Sequence, residues 1–167
     1  MDELRFICGE IGSVQAMTSR AVREFDVEDT AVVLLRFDNG ALGTFTLSDT
    51  VAAPWSWEIS SGENPMYPQQ QVDCYLFAGT EGSLAVPSLE LWHYPGEKSW
   101  GAKLVRERVN VVRGDPLVRQ LRHFRRVIRG EERPRVSGTD ATRTLAAAQA
   151  IHRSAETGRA VMVDQVE

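Results

Sequence analysis

Short apolar runs and two-residue alternation dominate the first two thirds of the chain, whereas helical spacing dominates the last third. Alternation is typical of strands, and apolar positions three and four residues apart are typical of helices. The clearest alternation places Val105, Val109 and Val111 on one face and Arg106 and Arg108 on the other. The pattern predicts strands over residues 13–23, 30–37, 41–47, 72–78, 84–86, 89–92, 102–112 and 160–163.

Two turns separate predicted strands. Asp38-Asn39-Gly40 lies between 30–37 and 41–47, and an Asn-Gly step tolerates positive φ, so this is the strongest hairpin signal in the chain. Thr80-Glu81-Gly82 forms the second turn. The apolar run at 31–35, ahead of the first turn, does not alternate, which indicates that both of its faces are covered. Helices can cover one face, and a further layer or a second subunit can cover the other.

Three segments carry helical spacing. The first has Leu4, Ile7 and Cys8 at helical positions before Gly9, and its start without a cap implies a missing upstream part. A second helix begins near Pro116 and ends at Gly130, with an apolar stripe formed by Leu117, Leu121, Phe124 and Ile128. A third helix is predicted to have Thr139 as its cap and Gly158 as its stop, with Leu145, Ala148 and Ile151 on its apolar face. The predicted order of elements is one helix, then antiparallel strands, then two helices. This order predicts an α+β domain over 1–167.

Composition excludes several classes of protein. The 167 residues carry a net charge of -4, which gives no general attraction to nucleic acid or to an anionic membrane. We find no 20-residue apolar run and no signal peptide. The two cysteines, Cys8 and Cys74, match no metal spacing and indicate buried thiols in a reducing compartment. We therefore expect a cytoplasmic protein that binds no metal.

Motifs for independent catalysis are missing from the sequence. There is no glycine-rich dinucleotide fingerprint, phosphate-binding loop, His-Glu-x-x-His, Cys-x-x-Cys or nucleophile elbow. His93, His123 and His152 are better explained as surface or structural residues. The arginines of one helix face are better explained as a solvated or docking surface than as a phosphate site. They are Arg119, Arg122, Arg125, Arg126 and Arg129.

The longest irregular stretch, residues 50–71, combines prolines, aromatic rings and carboxylates. Carboxylates beside tryptophan are typical equipment for polyol binding, because they accept hydrogen bonds from hydroxyls while the ring offers a flat apolar wall. The alternative is that the rings belong to the core. The candidate substrate contacts are Trp55, Trp57, Glu58, Glu63, Asn64 and Tyr67, with Asp73 nearby.

Three segments resemble the glucose-fructose oxidoreductase and inositol dehydrogenase (Gfo/Idh/MocA) family. Residues 27–44, VEDTAVVLLRFDNGALGT, are similar to its hairpin. Residues 79–84, GTEGSL, are similar to its turn, and residues 151–161, IHRSAETGRAV, resemble its closing helix and strand. Together they span most of the chain in the family's order.

The resemblance implies the C-terminal domain alone, with a large, mostly antiparallel open sheet and helices packed on one face. This is the fold of the C-terminal domains of dihydrodipicolinate reductase and glyceraldehyde-phosphate dehydrogenase. It also implies an absent N-terminal Rossmann domain, NAD or NADP as the cofactor of the full-length protein, and a sugar, polyol or related substrate. The sheet face is implied to assemble a homodimer or tetramer.

The same resemblance implies that this chain has no catalytic residue of its own. The family's lysine in Glu-Lys-Pro belongs to the absent half, and Glu97-Lys98-Ser99 does not replace it. Asp2 matches the last aspartate of the family's Asp-x-x-x-His-x-x-Asp segment, in a supporting role, and the histidine would fall just before Met1. We therefore expect a chain that is inactive by itself. The alternatives are a stand-alone module that binds carbohydrate or protein with an open sheet, and a pure assembly domain.

Overall fold

The computed structural model describes residues 1–112 and 114–163 of the protein. These residues form eight strands and four helices, and all sheet neighbours are antiparallel. The α+β class predicted from the sequence is confirmed. In chain order the elements are α1 (Asp2–Cys8), β1 (Ile11–Ser19), β2 (Thr30–Phe37), β3 (Leu42–Ser48), α2 (Trp57–Ser60), β4 (Tyr75–Ala78), β5 (Gly82–Val86), β6 (Glu90–His93), β7 (Val105–Arg108), α3 (Pro116–Ile128), α4 (Gly138–Thr157) and β8 (Val161–Met162).

The elements divide between two compact units. The first comprises Met1–Val51 and the segment that begins at Arg133, and the second is Ala52–Glu132. Each holds one four-stranded sheet, in the orders β3-β2-β1-β8 and β4-β5-β6-β7. The sequence predicts one large sheet, but consecutive strands β4 to β7 pair with one another, whereas β8 returns from the chain's end to pair with β1.

The core of the first unit lies between one face of its sheet and α4. Val14, Val33 and Leu35 point to this face because side chains alternate along a strand, and each is at most 3% exposed. Ala147 and Ala150 of α4 pack against them and are fully buried. Their small side chains let the helix approach the sheet closely.

The boundaries of α4 correct one prediction. Its cap is Ser137, whose hydroxyl accepts a hydrogen bond from the Asp140 backbone N–H at 3.1 Å, and not Thr139. Both residue types cap helices, and only the backbone conformation distinguishes them. The helix ends at Gly158 as predicted, with φ of 66° in the left-handed region that glycine favours.

The buried face of α4 is rotated from the predicted one. Leu145 is exposed, whereas Ala146 and Ser154 are buried together with the two core alanines. The prediction followed the largest apolar side chains, but the tight helix–sheet contact selects small ones.

Ser154 makes a polar contact inside this apolar interface. Its hydroxyl accepts a hydrogen bond from the Ala16 backbone N–H at 2.9 Å and donates one to the Arg159 carbonyl at 2.5 Å. The β1–β8 pairing runs through Ser13↔Met162 and Val14↔Val161. Continuing that register would place Ala16 opposite Arg159, so the hydroxyl bridges the two backbone groups that a longer β8 would have joined.

The predicted hairpin between β2 and β3 is confirmed. Gly40 has φ of 89°, and the Phe37 N–H donates to the Ala41 carbonyl at 2.9 Å. The Asn39 side chain accepts from the Ala41 N–H at 3.0 Å and donates to the Cys8 carbonyl at 2.8 Å. The hairpin turn therefore also satisfies a carbonyl at the end of α1.

The outer face of the first sheet carries apolar side chains in contact with solvent. Val32 is 48% exposed and Leu34 is 52% exposed, and Met17 lies directly opposite Val32. Thr44 and Thr46 of β3 flank them on the other side. The sequence predicts cover on both faces, and within the described residues only the inner face is covered.

The second unit follows the predicted strand order, with β4 and β7 shorter than predicted and β5 beginning two residues earlier. β7 spans Val105–Arg108 instead of 102–112, and its Arg106 guanidinium lies 5.6 Å from the ring centroid of Trp92 on β6. The bounds of α3 agree with the prediction. Asp115 caps it by accepting from the N–H groups of Leu117 and Val118 at 2.9 and 3.1 Å.

Candidate functional site

The loop at residues 50–71 folds back on itself around a buried serine. Ser60 is 1% exposed, and its hydroxyl donates to the Ser56 carbonyl at 2.5 Å. The Gln69 side chain donates to the Ser60 carbonyl at 3.0 Å, and the Gln70 N–H donates to the Ile59 carbonyl at 2.7 Å. These bonds give the candidate loop a defined shape.

Trp57 and Glu63 are brought together by this fold. The indole Nε1–H donates to Glu63 Oε2 at 3.0 Å. The Trp57 ring lies 6.2 Å from the ring of Tyr75 at an interplanar angle of 52°. A carboxylate and an aromatic face thus lie side by side.

Glu58 and Asn64 form a second pair. The Asn64 amide donates to Glu58 Oε1 at 3.3 Å, and its Oδ1 accepts from the Met66 N–H at 3.1 Å. Trp55 is 70% exposed and Tyr67 is 46% exposed. Both of these rings face solvent, so the structure does not gather all six predicted residues into one cluster.

Two aromatic neighbours of Trp57 extend this region beyond the residues predicted from the sequence. Tyr75 and Phe77 on β4 stack at 6.0 Å with an interplanar angle of 15°. Their i, i+2 spacing on a strand places both rings on one face, and that signal could have revealed them. Trp57, Tyr75 and Phe77 form a continuous row, which we call the aromatic row.

Asp73 has a structural role. Its Oδ1 accepts from the Ser88 backbone N–H at 2.8 Å, and its Oδ2 accepts from the Ser88 hydroxyl at 3.0 Å. Both carboxylate oxygens therefore hold the turn between β5 and β6. The ligand role considered for Asp73 stays a prediction.

The chemistry available in the loop is hydrogen bonding and stacking. Each of the Trp57–Glu63 and Glu58–Asn64 bonds uses one carboxylate oxygen, and an ionised carboxylate accepts several hydrogen bonds. Hydroxyl donors and a flat apolar ligand surface match a carboxylate beside an aromatic row. This arrangement fits binding and orientation of a polyhydroxylated molecule.

Asp2 lies in a charged network in the first unit. Its Oδ1 accepts from the Thr144 hydroxyl at 2.9 Å and lies 3.6 Å from Arg5 Nη1. These contacts join α1 to α4 and hold the carboxylate in a fixed position. The role that the resemblance implies for Asp2 stays a prediction.

Arg5 is the centre of this network, and sequence analysis missed it. It is 7% exposed and donates to both oxygens of Glu10 at 2.9 Å. It also donates to Asp140 Oδ1 at 2.9 Å and to Thr144 Oγ1 at 2.6 Å. The hydrogen bonds from Arg5 hold the pKa of Glu10 below its usual value, and the pKa of Arg5 is raised in turn.

The three histidines lie beside carboxylates. His93 Nε2 is 3.3 Å from Glu107 Oε1, and His152 Nδ1 is 4.0 Å from Glu28 Oε1. His123 Nδ1 is 2.7 Å from Glu132 Oε2, and this hydrogen bond lowers the pKa of Glu132. Such pairing agrees with the structural explanation of these residues.

Residues 1–112 and 114–163 form neither a metal-binding cluster nor a membrane-spanning helix. No group of three or more histidine, cysteine, aspartate or glutamate residues in these ranges is arranged to hold a metal ion. No helix in the same ranges combines the length and the apolar character needed to cross a bilayer.

A dinucleotide cofactor, implied for the full-length protein, does not fit this chain. Dinucleotide sites use a glycine-rich turn between a strand and a helix of a parallel sheet. The strand pairs described here are all antiparallel.

The family follows from a direct comparison. The model of the GFO/IDH/MocA C-terminal domain family matches residues 1–85. The chain belongs to this family. The match covers the hairpin and the candidate loop, and it confirms the resemblance found in the sequence.

Solved structures with the same fold include two dehydrogenases and an oxidoreductase. Levoglucosan dehydrogenase in complex with NADH and levoglucosan has a TM-score of 0.70 at 19% identity, covering 99% of this chain and 48% of its own. The WlbA dehydrogenase from Bordetella pertussis, in complex with NADH and UDP-GlcNAcA, has a TM-score of 0.62 at 23% identity. That match covers 99% of this chain and 43% of the dehydrogenase. An Agrobacterium radiobacter oxidoreductase in complex with NAD+, L-tartaric acid and magnesium has a TM-score of 0.63 at 24% identity. That match covers 97% of this chain and 46% of the oxidoreductase.

These likenesses show a shared fold. The chain spans less than half the length of each of the three proteins. No curated protein sequence matches it.

Proposed function

We propose that this chain is the C-terminal substrate-binding and assembly domain of an NAD(P)-dependent oxidoreductase that acts on a sugar, polyol or related compound. Family membership carries the proposal, because this domain occurs in the dehydrogenases whose fold it shares. The cofactor and the catalytic lysine belong to a Rossmann half outside the chain. The isolated chain is inactive in this proposal.

The loop contributes the substrate contacts. Trp57 and Glu63 form its centre, since the hydrogen bond between them holds the carboxylate beside the aromatic row. Glu58 and Asn64 form a second polar pair. Trp55, Tyr67 and these four residues are the proposed contacts.

The outer face of the first sheet contributes the assembly surface. Val32, Leu34 and Met17 are exposed apolar residues in the middle of a face that also carries Thr44 and Thr46. A mixed face of aliphatic and threonine side chains fits a second copy of itself, since isologous packing buries the same patch on both subunits. A homodimer or tetramer follows.

Steady-state kinetics on the full-length protein test the substrate proposal. We expect reduction of NAD+ or NADP+ with a sugar or polyol, and no turnover by the 167-residue chain. Trp57→Ala and Glu63→Ala should each lower kcat/KM by about tenfold, a loss of ~1.4 kcal/mol in transition-state binding. Trp100→Ala is the matched control, because Trp100 is exposed outside the loop.

Two outcomes oppose this assignment. Unchanged kcat/KM in both loop variants would remove the loop from the substrate site. Tight binding of a sugar by the isolated chain, together with a full-length protein that transfers no hydride, would favour a stand-alone binding module.

A further inference from the structure

The apolar stripe of α3 lies open to solvent. Its four side chains repeat at i, i+4, i+7 and i+11 and therefore share one face of the helix. All four are between 61% and 69% exposed, and none of the thirteen residues of α3, all of which the structure describes, is buried. The stripe consists of Leu117, Leu121, Phe124 and Ile128.

Capping interactions at both ends stabilise α3. Pro116 occupies the first turn, and Asp115 caps the N-terminus. At the other end the Glu131 N–H donates to the Arg126 carbonyl at 2.9 Å, and the Gly130 N–H donates to the Val127 carbonyl at 3.0 Å. This is the Schellman pattern, with Gly130 in the left-handed region at φ of 72°. A helix fixed in this way presents its stripe ready-formed to a partner.

The opposite face is held by a charged clamp. The Glu132 carboxylate accepts a hydrogen bond from His123 Nδ1 at 2.7 Å and forms an ion pair with Arg126 Nε at 2.7 Å. These contacts tie the polar face of α3 to the following loop. The segment 116–130 contains no acidic residue. Arg125 and Arg129 lie closer to the stripe than the other arginines, so they would border any partner docked there. The matching surface is therefore an apolar patch with acidic residues at its rim.

We infer that the α3 stripe is the docking surface for the nucleotide-binding half of the same polypeptide. This inference rests on the proposed function and names the surface through which the two halves join. The structural matches cover 97–99% of this chain, so they include most or all of α3, yet this chain covers only 43–48% of those proteins. More than half of each such polypeptide is thus available to cover a helix that this chain leaves open. Amphipathic helices in folded proteins bury their apolar face.

Thiol labelling measures directly whether the α3 stripe is accessible to solvent in each protein. Leu121→Cys and, separately, Ile128→Cys are made in the isolated chain and in the full-length protein, and peptide mass spectrometry follows maleimide modification at each site. Both thiols should react rapidly in the isolated chain and more than about tenfold more slowly in the full-length protein, where only local opening exposes them. Arg122→Cys on the polar face is the matched control and should react alike in both proteins. Circular dichroism confirms that each variant keeps its helical content.

The remaining outcomes overturn the inference. Equal labelling rates in the two proteins would show that the nucleotide-binding half does not cover the stripe. Slow labelling already in the isolated chain would show that another part of this chain covers it. Protection that grows with protein concentration would assign a second copy, and protection by anionic vesicles would assign a lipid surface. Labelling needs no catalysis, so a full-length protein that protects the stripe but reduces no cofactor would refute the proposed function and keep the docking surface.

Discussion

The guanidinium of Arg5 meets both carboxylate oxygens of Glu10 at 2.9 Å, in a two-point ion pair at the start of the domain. The Arg5 side chain is 4% exposed, whereas the Glu10 side chain is 41% exposed. The arginine is thus buried and the carboxylate reaches solvent. Since Arg5 also binds Asp140 on α4, one side chain joins α1, the segment before β1 and α4.

Removing Arg5 should destabilise the first unit strongly. Arg5→Met keeps much of the aliphatic volume but leaves Glu10 and Asp140 without their shared cation. We expect a loss of about 2–4 kcal/mol in the free energy of unfolding, measured by urea denaturation. Arg143→Met is the control, because Arg143 is an exposed partner of the same Glu10 at 3.5 Å. Exposed pairs contribute below about 1 kcal/mol, so equal losses in the two variants would contradict a central role for Arg5.

The same pair predicts a pH dependence. Because Arg5 lowers the pKa of Glu10 in the folded protein, the unfolded chain binds the proton more readily. The contribution of Glu10 to stability is therefore complete above the usual glutamate pKa of about 4.3 and is lost as pH falls through the folded-state pKa. In urea titrations from pH 7 to pH 3, the stability gap between the native protein and Glu10→Gln should narrow. A gap that stays constant below pH 4.5 would show that the ion pair is not coupled to folding.

The cap of α4 can be located by two neighbouring substitutions. Ser137→Ala removes the acceptor of the Asp140 N–H and should cost about 1 kcal/mol of unfolding free energy. Thr139→Ala changes an exposed residue inside the first turn and should be within about 0.5 kcal/mol of the native protein. A larger loss for Thr139→Ala would reassign the cap to the residue that the sequence favoured.

The turn held by Asp73 predicts a graded response. Asp73→Ala removes both acceptors of the Ser88 bonds and should cost about 1–3 kcal/mol of unfolding free energy, since the Ser88 N–H loses its partner. Asp73→Asn keeps one acceptor and supplies an amide donor for the hydroxyl, so its loss should be smaller. If Asp73→Asn changes KM for the substrate without changing stability, Asp73 belongs to the ligand site after all.

The outer sheet face predicts an effect on assembly. Leu34→Lys places a charge in the middle of the exposed apolar patch and should convert the proposed oligomer to a monomer, because an unpaired charge is costly in an interface. Analytical ultracentrifugation measures the oligomeric state of the native protein and of the variant. Val111→Asp is the control, a substitution of an exposed apolar residue on a different segment. An oligomer that survives Leu34→Lys would move the interface elsewhere.

Local signals explain what the sequence predicted correctly in the fold. The bounds of β2 and the hairpin agree with expectation because Asn39 and Gly40 fix the turn. Arg5 could not be found in the same way, since its partners Asp140 and Thr144 lie 135 and 139 residues away along the chain. Contacts of that separation leave no periodic trace in a single sequence.

In the candidate site, too, some features have a local sequence signal and others depend on the fold. Composition identified the loop, but Trp57 and Glu63, like Glu58 and Asn64, are six residues apart and pair only because of the loop's particular course. No regular element repeats at six, so spacing alone could not predict these bonds. The division of the strands into two sheets also depends on which strands find each other across long stretches of chain.

The hydroxyl of Ser154 sets where α4 rests along β1. A helix that packs through alanines alone can slide by one turn with little change in buried area, because the rows of small side chains are nearly equivalent. Ser154 breaks that equivalence: only one axial position lets it reach both the Ala16 N–H and the Arg159 carbonyl. A single polar side chain thus fixes the position of the helix along the strand in an otherwise apolar contact. The same side chain satisfies the Ala16 N–H and the Arg159 carbonyl at the point where β8 has not yet begun.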